Sequence, residues 1–190
     1  MLKQGLRQKY SALRKDISST TLLYSSLRVT KHVLQLPIWS FQHYHIFMPI
    51  TEKKELHTAY LRYILLQRDK EVIVPKVTAK DTLLQNCLIS EKTKFRRSKW
   101  GIPEPVNCTE LPVEQIDVVF LPLLVFDTQG NRVGYGKGFY DTFLRQCRPD
   151  VVKVGLCLFG PEKEITDIHN NDVALDYGVT PKRVYMFSAS

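Results

Sequence analysis

Hydrophobic positions in this chain recur first at helical spacing and then as short unbroken runs. Over residues 2–16, Leu2, Leu6, Tyr10 and Leu13 fall on one side of a helix, with Lys3, Arg7, Lys9, Arg14 and Lys15 between them. This predicts an amphipathic basic helix. The Ser18-Ser-Thr-Thr stretch breaks it and supplies caps for a second helix over 21–36. Leu22, Leu23, Leu27, Val33 and Leu34 form the apolar side of that helix, and Pro37 ends it.

From there the period changes. His43 to Ile50 reads as a strand, Thr51 to Lys54 as a polar loop, and Glu55 to Arg68 as a helix with Leu56, Ala59, Tyr60, Tyr63, Ile64 and Leu65 inward. Lys70 to Val77 is a strand buried at Val72, Ile73 and Val74; Thr82 to Ile89 is a further strand or hairpin arm. Residues 90–107 read as irregular because Pro103 and Pro105 exclude a regular helix. A buried strand over 117–122, a helix over 139–147, a strand over 151–159 and a short strand over 183–187 complete the chain. Two helices followed by alternating strands and helices predict an α/β fold. It has a mostly parallel central sheet flanked by helices on both faces. We expect a single domain over 1–190, with the helix of residues 2–16 packed onto it.

Composition narrows this only slightly. A chain of 190 residues with 44% hydrophobic content suits one sizeable core. The formal net charge of +8 favours anionic partners, yet only Lys92 to Lys99 form a short basic cluster. The charge is therefore read as suiting an anionic small molecule or a solvated surface, with no nucleic-acid partner. The cysteines, Cys87, Cys108, Cys147 and Cys157, contain no CxxC pair, which argues against a zinc ribbon. They are expected to be free buried thiols in a reducing compartment. Without a signal-like or spanning apolar run, the chain is expected to be soluble, cytoplasmic, monomeric and away from membranes.

The candidate chemistry lies between Asp117 and Leu144. A buried strand leads to the turn Asp127-Thr-Gln-Gly-Asn131, then to glycines at 134, 136 and 138, then directly to a helix. Glycines let backbone N–H groups approach a phosphate, and Lys137 and Arg132 supply charge. The helix start adds its dipole. The loop matches neither the dinucleotide fingerprint nor the P-loop, and a tight strand-to-helix turn would use the same glycines. Asp141 reads either as a dipole-favourable acid in the first helical turn or as a magnesium ligand beside phosphates. Lys3 and Arg7 share a helix face, either solvated or folded over the loop. Trp100, in a proline-rich segment, is either a surface residue or a wall for a flat heterocycle. His43, His45, His57 and His169 lack metal spacing and read as structural.

At these residues the chain resembles the 5-formyltetrahydrofolate cyclo-ligase family. The strongest element is Asp127-x-x-Gly130-x-Arg132-Val133-Gly134-Tyr135-Gly136-Lys137-Gly138-Phe139-Tyr140-Asp141. Lys3-x-x-Leu6-Arg7, Trp100-Gly-Ile-Pro-Glu-Pro, and Asn171-Asp172 followed by Asp176 support it. The resemblance implies an ATP- and Mg2+-dependent enzyme. It would convert 5-formyltetrahydrofolate to 5,10-methenyltetrahydrofolate, releasing ADP and phosphate, through phosphorylation of the formyl oxygen and closure by N10. It further implies that Lys3, Arg7 and the run Arg132, Val133, Gly134, Tyr135, Gly136, Lys137, Gly138, Phe139, Tyr140 and Asp141 bind ATP. Lys137, Arg132 and Tyr140 would act in catalysis. Met48, Glu55, Trp100 and Tyr135 would line the folate site, which is open to polyglutamylated substrate. Asp141 and Asp172 would assist magnesium, with Asp176 as the alternative to Asp172.

Two departures stand out. Glu55-Leu-His-Thr58 matches the family's Glu-x-x-Thr element only if the preceding loop is about two residues longer, and Glu52 competes with Glu55. Phe139 stands where a tyrosine is usual. The competing functions are a nucleotide- or RNA-binding module without catalysis and another ATP-dependent kinase or ligase on the same scaffold.

Overall fold

The structure is a computed structural model, and it describes residues 1–78, 84–99 and 101–187. Helices α1 (Lys3–Lys15) and α2 (Ser19–Val33) come first, then strand β1 (His43–Ile46), helix α3 (Ala59–Gln67) and strands β2 (Glu71–Val77) and β3 (Leu84–Ile89). A small hairpin follows, β4 (Phe95–Arg97) with β5 (Pro103–Pro105), then β6 (Thr109–Glu110) and β7 (Val118–Pro122). The ribbon β8 (Val125–Phe126) and β9 (Arg132–Val133) precedes α4 (Phe139–Leu144), β10 (Val152–Leu156), β11 (Tyr177–Val179) and β12 (Val184–Met186).

Eight strands make one sheet in the order β12-β11-β10-β7-β1-β2-β3-β6. The five central strands, β11 to β2 in that order, pair in parallel, and β12, β3 and β6 pair antiparallel at the margins. The expected α/β class with a mostly parallel sheet is therefore what the chain forms. The strand β7 shows how both faces are covered. Val118 and Phe120 join the core under α2 and α3, with Val29, Val33, Leu61 and Leu65. Val119 and Leu121 point the other way, into the core under α4 with Phe143 and Leu144. Consecutive apolar residues are what a strand buried on both faces requires.

The chain runs from β1 through α3 to β2 on one side, and from β7 through α4 to β10 on the other. The strand order thus reverses between β1 and β7. The crevice at the carboxyl ends of two such strands is where open α/β sheets bind ligands.

Several expected positions moved for physical reasons. Leu2 and Leu13 are exposed, whereas Lys3 and Arg14 are buried with Leu6 and Tyr10. The helix α1 lies across the ribbon β8–β9, so its inner stripe carries two cations that find partners there. On α2, Leu23 and Leu27 face solvent. Its inner face combines Leu22, Val29 and Val33 with two small polar residues: Ser26 and Thr30 are buried and donate to the carbonyls of Leu22 and Ser26 (2.8 and 3.0 Å). The helix α3 begins at Ala59 rather than Glu55, and Tyr60 and Tyr63 are exposed. Residues 90–107, expected to be irregular, contain the hairpin β4–β5, in which each proline is tolerated because the strands form an isolated two-stranded pair.

The cysteines need a correction. Cys147 and Cys157 are free and buried, but Cys87 and Cys108 form a disulfide. Pairing of β3 with β6 brings their Cα atoms to 4.9 Å. The bond closes the segment carrying the β4–β5 hairpin over a sequence separation of 21. Cys108→Ser is expected to lower stability by about 3 kcal/mol under non-reducing conditions. Urea unfolding with and without reductant checks this, since the difference should vanish when both proteins are reduced.

A second consequence sits in the sheet. His45 is fully buried beside Phe143 (ring centroids 4.6 Å), and neither ring nitrogen has a hydrogen-bond partner among the described residues. Burial disfavours its charged form and pushes its pKa down to about 3. The unfolded chain takes a proton near pH 6.5, whereas the folded chain refuses it until about pH 3. Stability from this group is therefore present above the upper value and lost as pH falls. His45→Leu should flatten the pH dependence of unfolding free energy across that window; an unchanged slope would count against it.

Candidate active site

A cleft of about 410 Å³ opens at the carboxyl ends of β1 and β7, where Phe47, Met48, Pro122 and Leu123 line it. Its apolar walls come from these strand ends, from Pro75 and Val77 of β2, from Leu84, and from Ile102 beside the hairpin. Its charged walls come from α1, the glycine loop and Asp172. Among the described residues five cationic and three anionic side chains line it: Lys3, Arg7, Lys53, Arg132 and Lys137 against Glu55, Asp141 and Asp172.

The glycine loop is held from both sides. Asp127 is fully buried at the tip of the β8–β9 ribbon. One carboxylate oxygen accepts from the backbone N–H groups of Gln129 and Asn131, both at 2.9 Å. The other accepts from Asn131 Nδ2 (2.9 Å) and the N–H of Ile165 (3.1 Å). This fixes the turn and delivers Arg132 to the cleft. Beyond it, Gly136 has φ +86°, and an added Cβ would lie 3.1 Å from the Arg7 guanidinium. Only glycine permits both that backbone and the close approach of α1. Gly138, with φ +70°, opens α4.

Arg7 Nε donates to the carbonyl of Gly134 at 3.2 Å, so α1 folds over the loop. Lys3 is ion-paired with Asp172, whose carboxylate also accepts from the N–H of His169 at 2.7 Å. These donors and Lys3 hold the Asp172 carboxyl below the usual range against the opposing effect of burial. Arg132 Nη2 donates to Asp141 Oδ1 at 2.6 Å. The Arg132 side chain is 7% exposed, and burial pulls its pKa down, opposed by Asp141 and Asp172. Its other terminal nitrogen, Nη1, is buried without a hydrogen-bond partner among the described residues. An orphaned guanidinium N–H is an open anion-binding position.

Glu55 is buried and accepts from the N–H of Ile50 at 2.7 Å. Burial raises its pKa, opposed by Ile50, Tyr135, Arg14 and Lys53. Glu52 is exposed and paired with Arg97 at 2.9 Å, so Glu55 alone of the two reaches the cleft. Asp172 lines the cleft, whereas Asp176 binds Lys153 at 3.0 Å between β10 and β11. Met48, Gly134, Tyr135, Phe139 and Tyr140 are all on the cleft wall, and burial raises the pKa of both tyrosines. Val133 is not on the cleft wall; its side chain is buried with Leu6 and Tyr10 under α1. Trp100 lies outside the described residues.

Two residues escaped the sequence reading. Arg14 donates to the Tyr135 hydroxyl at 2.8 Å and to the carbonyl of Leu123. It stands one helical face with Lys3 and Arg7, which was the available signal. Lys53 carries its ammonium 3.9 Å from the centroid of the Tyr135 ring. No motif marked it.

Fold and cleft together define an α/β protein with a cation-lined glycine loop closing the switch-point crevice of its sheet. Comparison with known proteins takes this further. The 5-formyltetrahydrofolate cyclo-ligase family matches residues 1–181, and the chain belongs to that family, which makes it a ligase. It is 29% identical over 178 residues to the 5-formyltetrahydrofolate cyclo-ligase of Haemophilus influenzae, covering 91% of this chain and 94% of that one. To the cyclo-ligase of Mus musculus it is 26% identical over 153 residues, covering 76% and 74%. The NMR structure of Aquifex aeolicus 5,10-methenyltetrahydrofolate synthetase superposes with a TM-score of 0.85 at 28% identity, covering 100% of this chain and 95% of that one. Among the described residues no helix is long and apolar enough to cross a membrane, and no group of three or more His, Cys, Asp or Glu could by itself hold a metal.

Proposed function

We propose that this chain converts 5-formyltetrahydrofolate to 5,10-methenyltetrahydrofolate at the expense of ATP. The observation that carries the reading is the division of the cleft: an apolar half ending at buried Glu55, and a cationic half in which Arg132 keeps an unpaired buried N–H. A flat heterocycle suits the first half and a polyphosphate the second.

In this reading Lys3, Arg7, Arg132 and the backbone of residues 134–138 hold the triphosphate. Met48 and Glu55 face the pterin, and Tyr135 and Tyr140 lie between the two. The formyl oxygen attacks the γ-phosphorus as the bond to ADP breaks. N10 then attacks the activated carbon, the carbon–oxygen bond breaks, phosphate leaves, and the N10 proton departs with it or to water. Lys137 and Arg132 neutralise the charge that moves, which is the main work of phosphoryl transfer.

The residues present also fit magnesium, which would supply charge neutralisation between the phosphate oxygens. Magnesium commonly takes one or two carboxylates and completes its shell with phosphates and water. Asp141 and Asp172 supply two, each now paired with a cation that a phosphate would draw away. The absorbance of the methenyl product tests the whole reading. Folded protein with 5-formyltetrahydrofolate and Mg-ATP should generate it, and a flat trace would sink the proposal.

A further inference from the structure

The short turn between β1 and α3 holds a cation that the reading above does not use. Residues Thr51–Lys53 form one 3₁₀ turn, closed by Lys54 with a left-handed φ of 47°. Lys54 ties this turn to the end of α1, because its ammonium donates to the carbonyls of Lys15 and Ile17 at 2.7 and 2.5 Å. Capping carbonyls after a helix with a cation is favourable, since the negative end of the helix lies there. The anchor leaves the neighbouring residue on the other side of the turn, and Lys53 lines the cleft.

The Lys53 ammonium rests 3.9 Å from the Tyr135 ring centroid, inside the glycine loop. Tyr135 is simultaneously fixed by Arg14 at its hydroxyl. The charges acting on Lys53 are Glu55, which favours its ammonium, and Lys137 and Arg14, which oppose it along with burial. Lys53 and Lys137 thus line the cleft with Glu55 and Tyr135, and the buried Arg14 adds a third positive charge at the Tyr135 hydroxyl. An arrangement with this excess is relieved by an anion placed among them.

We propose that Lys53 is a further anion-binding residue of the cleft, stored on the face of Tyr135 and transferred to a phosphate group that binds beside Lys137. The inference rests on the phosphate reading of the charged half. A lysine suits the task because its stem is flexible and its charge is a point, so it can leave the ring and follow a ligand. A cation–π contact at a partly exposed position is weak enough to be exchanged for a charge-assisted hydrogen bond.

The test uses the full chain and inorganic tripolyphosphate, with binding measured by calorimetry. Lys53→Met should weaken tripolyphosphate binding about tenfold, equivalent to one lost charged contact. Lys53→Arg should restore most of it, and the deficit should shrink as salt is raised. Thermal midpoints of the three proteins should agree, because the side chain is exposed. Wild-type affinity in Lys53→Met would overturn the inference, as would failure of the wild type to bind tripolyphosphate. Lys53-dependent binding without turnover of 5-formyltetrahydrofolate would support the inference while overturning the substrate assignment.

Discussion

Lys137→Ala is expected to lower turnover about a thousandfold, in the range for loss of a charge that stabilises a transferring group. Its thermal midpoint should stay within about 3 °C of the parent. The two halves of the prediction have separate causes. Lys137 is exposed at the mouth of the cleft between Gly136 and Gly138. Those glycines hold the left-handed φ values, so the loop's path does not depend on the lysine side chain. The charge, by contrast, has little redundancy. Arg132 and Lys3 reach a phosphate only by leaving or sharing Asp141 and Asp172, and Lys137 supplies its charge from the loop that closes over the charged half. Turnover assays beside calorimetric melting distinguish the cases. A large fall in the midpoint would mean that the lysine builds the loop, and near-normal turnover would remove it from the reaction.

The legible parts of this protein were those in which one residue type has one physical use. A run such as Val118 to Leu121 can only be a strand covered on both faces, and it proved to be the hinge between the two cores. Glycines at alternate positions ahead of a helix imply a backbone path that other residues resist, and two of the three have positive φ. The sequence also carried most of the cleft, from Lys3 and Arg7 to Asp172, because the motif residues are tied to the loop by chain-distant pairs.

The illegible parts depended on packing partners far along the chain. Periodicity scores Leu13 as buried and Arg14 as exposed, but helix α1 meets the ribbon and the cleft rather than an apolar sheet. The stripe that ought to be greasy therefore ends in cations with oxygen partners. The disulfide was hidden for a similar reason. Cys87 and Cys108 look unrelated until β3 and β6 pair, which no local pattern announces. Lys53 was missed because a lysine in a polar turn is normally solvated. Its role is visible only once Lys54 is seen to anchor that turn to α1.

Asp127→Ala should be the most damaging single change to folding, costing about 4 kcal/mol. A fully buried carboxylate that accepts from four N–H groups can be removed only by leaving those donors unpaired. Gln129 reaches solvent and will recover part of its loss from water, whereas the N–H of Ile165 is buried and cannot. Asp127→Asn should also destabilise, because its amide group must aim at least one donor at another donor. Fraying of the ribbon would loosen Arg132, so turnover should fall even at temperatures where the variant remains folded. Urea unfolding separates this from ordinary surface effects. A change below about 1 kcal/mol would show that the backbone bonds between Asp127 and Asn131 suffice to hold the turn. A loss of the expected size would show that the acid at the head of the glycine motif acts on folding, and that the cations downstream of it depend on that fold for their place.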